Sequence, residues 1–279
     1  MWQLIKIELF KIFKKPRTYI AFGAIAAIVT LVQMAMYADG AEYTRFMLQS
    51  VEQSFQVSGM ILNGYLVCFI ILQTLLVHVP LLIALVAGDI VAGEANMGTL
   101  RLLLTRPVSR NQLLLSKYFA CSIYTLLLLI FMAILSLVVS LLVFGEGDLM
   151  ILKSEMIVIL DRNDVLWRYF AAFGFAAVSM LTVAALAFLF SVFAENSIGP
   201  IISAMSVVII FTILTSLDIP LFNVLKPYLF TNHMLNWKGF FEQPVDYKEV
   251  YKSIFILLTH IFAFVSLAVY AFRKKDILS

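Results

Sequence analysis

Six separate runs of about twenty or more mostly apolar residues constrain this chain more than any other feature. They lie at roughly 19–38, 60–87, 118–144, 169–193, 198–217 and 251–272. A helix rising about 1.5 Å per residue needs about twenty such residues to cross a hydrocarbon core about 30 Å thick. Residues are 62% hydrophobic and 13% charged, where a soluble domain is about 45–50% apolar and about 25% charged. Too little polar surface remains for water to be the main solvent. The expected fold class is an all-α membrane protein with six transmembrane helices, the 279 residues forming one transmembrane domain.

Charge orients the spans. With the N-terminus inside, twelve of the twenty basic residues and five of the seventeen acids fall on the cytoplasmic side, a net +7 against −4 outside. An excess of Lys and Arg marks the cytoplasmic face, so both termini are expected there, in a multi-pass protein of a bacterial cytoplasmic (inner) membrane. The first apolar run lacks a small-residue cleavage site and is read as a retained span. No basic stripe with interleaved aromatics suggests a nucleic-acid partner.

Residues 1–18 read as an amphipathic interfacial helix. Trp2, Ile5, Leu9, Ile12 and Phe13 follow helical spacing and would face the lipid bilayer, with Lys6, Lys11, Lys14 and Lys15 among the headgroups. Pro16 marks the turn into the first span. The outer segment 218–250, with Trp237, Phe240 and Phe241, suits short helices at the outer interface.

The most informative stretch is the cytoplasmic connection 88–117. If 94–105 is helical, Glu94, Gly98, Arg101 and Thr105 share one face, and Met97, Leu100 and Leu104 another. Pro107 disfavours helix at Arg106. Ser109-Arg110-Asn111-Gln112 then forms a capping box opening the third span. A short amphipathic helix between two spans can seat in a groove of a soluble partner and act as a lever.

The pattern Gly88-Asp89, Gly93-Glu94, Gly98-Thr99-Leu100-Arg101-Leu102-Leu103, Arg106-Pro107-Val108-Ser109-Arg110 closely resembles the ABC-2 type transporter permeases. It is most similar to the bacterial six-span group that includes sodium-export and nitrous-oxide-reductase maturation permeases. The resemblance implies a permease subunit of an ABC transporter, not an enzyme and without an ATPase site of its own, that moves substrate across the membrane in the export direction. It implies two copies of a soluble ATP-binding subunit and a second permease chain, most simply a homodimer. It carries the family's coupling helix onto about 94–104. The residues expected to couple to the ATPase are therefore Glu94, Met97, Thr99, Leu100, Arg101, Leu104 and Arg106.

Other chemistry is not written in the sequence. Gly93 and Gly98 have the spacing of a phosphate loop, but Thr99 and Leu100 follow where lysine and Ser/Thr are required. No cofactor is therefore expected on this chain, and ATP and Mg belong to the partner subunit. Neither Cys nor a second His lies at metal-ligand spacing from His78, His233 or His260. His78 and His260 fall within spans, which makes them candidate intramembrane polar sites; an interhelical hydrogen bond is the simpler expectation for each. The alternative function is a self-sufficient ion-coupled carrier or channel. Such a protein would bury ionisable groups inside its spans, and none is expected well inside these.

Overall fold

The computed structural model describes residues 1–52, 61–104, 108–152, 157–217 and 219–275. Helix α1 (Trp2–Lys14) is followed at once by α2 (Pro16–Glu52), with Pro16 in the first turn, where its missing N–H costs nothing. Helix α3 (Gly64–Ala87) runs almost directly into α4 (Asp89–Asn96), and α5 (Thr99–Leu104) follows after a turn. Helix α6 (Arg110–Ala133) passes through a π turn (Ile134–Val138) into α7 (Val139–Phe144). Beyond a hairpin of β1 (Leu149–Leu152) and β2 (Ile157–Leu160) come α8 (Arg162–Phe193) and α9 (Ile198–Ser216). Short helices α10 (Pro220–Asn223) and α11 (Phe230–Met234), with 3₁₀ turns at Lys226–Tyr228 and Leu235–Phe241, lead to α12 (Tyr247–Lys274).

Among the described residues, six helical stretches are long and apolar enough to cross a membrane: Pro16–Gln49, Gly64–Asn96, Arg110–Phe144, Arg162–Phe193, Ile198–Ser216 and Tyr247–Lys274. The chain is thus a predominantly helical protein with the composition of a multi-pass membrane protein. The helices outrun the apolar windows, because a helix does not stop where hydropathy falls. The second, third and fourth stretches carry Asp89, Glu94, Lys117 and Arg168 into buried positions. All four lie within about two turns of an end of their stretch, so charge enters these helices near their ends and is covered there by protein.

Helices α3 and α8 form the enclosed centre, while α9 and α12 are the most exposed. The run Ala184-Ala185-Leu186-Ala187 on α8 is buried throughout, since small side chains let neighbouring backbones approach closely. Gln33 on α2 reaches the π turn of the third stretch. Its Nε2 donates to the Leu135 carbonyl and to Ser140 Oγ, both at 3.0 Å. A π turn disturbs the usual i to i−4 pairing, and the glutamine supplies a donor there.

The fold is not purely α-helical. β1 and β2 pair antiparallel, Leu149 opposite Leu160 and Leu152 opposite Ile157. Their buried residues alternate along each strand, as period-two side chains over a core require. The hairpin lies at the end of the bundle far from the termini. There Asn63 caps α3 by accepting from Leu66 N–H at 3.0 Å and donates to the Asp148 carbonyl at 2.7 Å.

Within 219–250, α10 and the first 3₁₀ turn stay exposed, while α11 and the second 3₁₀ turn pack inward. Trp237 and Phe241 are buried against Phe69 of α3 and each other. Arg168 on α8 clamps the segment. It holds Asp164 through Nε and Nη2 and donates from Nη1 to the carbonyls of Phe240 (2.6 Å) and Glu242 (2.9 Å). Replacing Arg168 with Met would strand these acceptors. Arg168→Met should lose about 2–4 kcal/mol of unfolding free energy, read by denaturant titration in mild detergent. Unchanged stability would show that aromatic packing alone holds the segment.

Candidate functional site

The site lies at the end of the bundle that carries α1 and the last turn of α12. Helix α1 turns Ile5, Glu8 and Ile12 inward, positions i, i+3 and i+7 of one face, and packs them beside α6. An acid therefore enters on an apolar stripe. The covered face of α1 differs from the expectation. Ile5 and Ile12, expected to face lipid, are covered by protein, and the exposed apolar residues are Trp2, Ile7 and Phe10.

Glu8 meets Lys117, two turns into α6 and 1% exposed, at 2.8 Å. Lys117 Nζ also lies 2.6 Å from Glu94 Oε2 on α4. Lys11 closes the ring, 2.7 Å from Glu8 Oε1 and 2.8 Å from Glu94 Oε1. Two carboxylates and two ammonium groups thus alternate, each bridging two opposite charges, with no net charge. Beside this ring, Asp89, 2% exposed, is paired with Lys15 at 2.6 Å and Arg17 at 2.7 Å. Those two cations flank Pro16, so the α1–α2 corner is tied to the first turn of α4.

Burying an isolated carboxylate costs several kcal/mol, and only close opposite charge with good geometry offsets this. Three of the ring's four contacts are also hydrogen bonds and the fourth, Lys117 to Glu94 Oε2, is a charge contact alone; the ring joins helices of distant sequence in one register. Burial alone would lower the pKa of Lys11, but the bonds to Glu8 and Glu94 outweigh it and raise it above the ordinary 10.5. A raised lysine pKa adds stability that is complete below the unfolded value and lost only as pH rises through the folded one. The Lys11 bridges therefore persist across neutral pH.

Other groups fix α4 on its second side. Ser191 of α8 accepts hydrogen bonds from Val91 N–H (3.1 Å) and Ala92 N–H (2.9 Å), two amides that a helix N-terminus leaves without backbone partners. A side chain at Gly93 would collide with the Asp89 carboxylate. At Gly98 φ is +69°, a left-handed conformation that glycine adopts readily, and the chain breaks there between α4 and α5. This corrects the expectation of one helix over 94–105, so Glu94 and Arg101 do not share a helical face.

The sequence-predicted residues are accordingly dispersed. Glu94 is buried in the ring, and Leu100 is buried at 2% exposure. Thr99 Oγ1 donates to the Glu94 carbonyl at 3.3 Å. Met97 projects at 60% exposure. Arg101 and Leu104 belong to α5, while Arg106 lies outside the described residues. Ser109 accepts from Gln112 N–H at 3.2 Å and so caps α6.

His78 is exposed and its Nδ1 lies 2.8 Å from the Thr74 carbonyl; His260 Nδ1 lies 2.9 Å from the Ile256 carbonyl. Each bonds one turn back on its own helix, not across to another helix as expected. Neither joins the ring. No group of three or more His, Cys, Asp or Glu among the described residues could hold a metal.

In the sequence, Lys11 and Lys15 read as headgroup contacts and Asp89 as part of the permease-like pattern, while Glu8, Arg17 and Lys117 entered only the charge count. Two signals were present. Glu8 shares a helical face with Ile5 and Ile12, and Lys117 sits two turns inside a capped apolar helix. An ionisable residue in such a place needs a partner.

Lys117→Met would leave two buried carboxylates on one half-exposed lysine. It should destabilise the protein by about 3–5 kcal/mol, measured by denaturant unfolding in detergent, and adding Glu94→Gln should recover much of that loss. A single-variant loss of less than about 1 kcal/mol, the scale of surface pairs, would contradict the buried-ring description.

Comparison with known proteins places the chain in a family. The chain is similar to the uncharacterized protein YhcI of Bacillus subtilis (strain 168), 30% identical over 203 residues. That match covers 69% of this chain and 63% of the relative, so it spans less than two thirds of the relative's length. Residues 19–278 match the model of the DUF2705 family, described as a protein of unknown function. The matched region takes in α3 to α12 and most of α2, with Asp89, Glu94 and Lys117, and the chain belongs to the DUF2705 family.

Proposed function

We propose that this protein is the membrane-spanning permease subunit of an ABC-2 type, ATP-driven transporter, and that α4 and α5 transmit motion from a separate ATPase. The observation that carries this reading is a connection bearing the Gly-Thr-Leu-Arg pattern, anchored to four parts of the bundle. Glu94 and Asp89 tie α4 to α1, α6 and the α1–α2 corner, and Ser191 ties it to α8. Force applied at the exposed Met97 corner would reach the first four candidate spans without passing through a flexible joint.

In this reading both termini and α4–α5 face the cytoplasm of a bacterial cell, as the +7 against −4 charge asymmetry favours. Two ATP-binding subunits, carrying ATP and Mg, dock on a pair of these chains. The docking surface comprises Met97 and α5 with Arg101. Glu94 acts behind it, since its carboxylate already holds Lys11 and Lys117.

The buried charges also bear on the alternative, an ion-coupled carrier. A coupling-ion site needs a group whose charge is free to be neutralised by the ion. Glu8, Asp89 and Glu94 each hold two cations already, and this favours an anchor over an ion site.

Co-expression with an ATP-binding subunit encoded beside this chain provides the test. The pair should co-purify, and the isolated chain should show no ATP turnover. Arg101→Ala should keep its membrane level while recovering the ATPase about tenfold less or worse, as for loss of an interfacial charged contact. Independent transport by the isolated chain in liposomes driven by an ion gradient, or normal ATPase recovery with Arg101→Ala, would contradict the proposal.

A further inference from the structure

The charge ring consumes the inward face of α1 and leaves an outward face that is neither plainly polar nor plainly apolar. Trp2, Ile7 and Phe10 are 60%, 52% and 64% exposed. Lysines alternate with them: Lys6 Nζ lies 5.5 Å from the Trp2 ring centre and Lys14 Nζ 5.4 Å from that of Phe10. Next to this face a cavity of about 520 Å³ opens between the α1–α2 corner and α4–α5.

Lys11, Lys14, Lys15 and Arg17 line the cavity together with Glu8, Asp89 and Glu94, leaving a net +1. The acids are all engaged in ion pairs. Several donors are not. Lys14 is exposed and, among the described residues, pairs with no carboxylate. Arg17 reaches Asp89 through Nη1, and a guanidinium has five N–H donors. The cavity is thus a cationic recess whose negative groups are already neutralised.

Its place in the fold indicates what would fill it. Pro16 opens the first candidate span, so the recess sits where a spanning helix meets the membrane surface. Aromatic rings and lysines at that depth lie among headgroups. We propose that this recess binds the phosphate headgroup of an anionic phospholipid, with Lys14 and Arg17 facing the phosphate and Trp2, Ile7 and Phe10 lying against the upper acyl chains. Because Arg17 and Lys15 also hold Asp89, the lipid would bear on the same corner that anchors α4. The inference goes beyond the permease reading and does not depend on an ATPase partner.

The test uses the full-length chain in an uncharged detergent and counts bound lipid by native mass spectrometry. Phosphatidylglycerol, phosphatidylcholine and inorganic phosphate are titrated separately. Phosphatidylglycerol should half-saturate at about a tenth of the phosphatidylcholine concentration or lower, as expected for two or more lysine or arginine contacts to an anionic headgroup. Lys14→Ala should raise the phosphatidylglycerol value about fivefold and leave phosphatidylcholine unchanged. The side chain is exposed, so the variant should fold, which its unchanged melting temperature in lipid-free detergent would verify. Lys248→Ala, at the far end of the bundle, should have no effect. Equal retention of the two lipids, or a Lys14→Ala variant that binds phosphatidylglycerol like the parent, would overturn the proposal. So would inorganic phosphate displacing phosphatidylglycerol at equal concentration, since the recess would then be a soluble-anion site.

Discussion

Lys117 is the interaction on which the terminal end of this protein depends. It is a cation with 1% exposure, two turns inside α6, and it bonds Glu8 of the first helix and Glu94 of the fourth. An ammonium group in that position is tolerable only with two close carboxylates, and each carboxylate only with its cations. The three helices therefore constrain one another. Apolar contacts of Ile5 and Ile12 would permit α1 to slide along α6, because the hydrophobic effect is non-directional. Ion pairs at 2.6–2.8 Å hold one register.

The two ends of the bundle are built differently around the same central pair, α3 and α8. At the terminal end, side-chain ion pairs join α1, α4 and α6, and Lys275 of the chain's last described turn donates to the Val192 carbonyl at 2.9 Å. At the far end, contacts to backbone carbonyls dominate. Tyr169 Oη donates to the Tyr65 carbonyl at 2.6 Å, Asn63 reaches Asp148, and Arg168 reaches Phe240 and Glu242. A charged cluster fixes elements that approach from separate parts of the sequence, while carbonyl-directed donors hold down short, irregular segments whose own backbone bonding is incomplete.

Much of the architecture was legible in the sequence because hydropathy and length act locally. The six apolar runs all became helices, Pro16 separates α1 from α2, and Ser109 caps α6. What escaped was set by tertiary partners. Asp89 read as part of the permease-like pattern and Glu94 as a contact to a soluble partner, and nothing within 88–105 reveals that Lys11, Lys15, Arg17 and Lys117 meet them. The break at Gly98 was missed because the helical pattern over 94–105 is good, and a glycine inside it does not announce a positive φ. The hairpin at β1–β2 lies in a connection too short and too apolar to stand out beside neighbouring spans.

The central claim is that charge pairing, not apolar packing alone, fixes α1 and the α4–α5 connection as one unit. Spin labels at Gln3 on α1 and at Met97 between α4 and α5 test it directly, because both positions are exposed and the native Cys68 and Cys121 are buried. Double electron–electron resonance on the full-length chain in detergent should give a single narrow distance distribution. With Lys117→Met in the same doubly labelled chain, the distribution should broaden as α1 loses its register against α4 and α6. An equally narrow distribution at the same distance in the Lys117→Met chain would contradict the account.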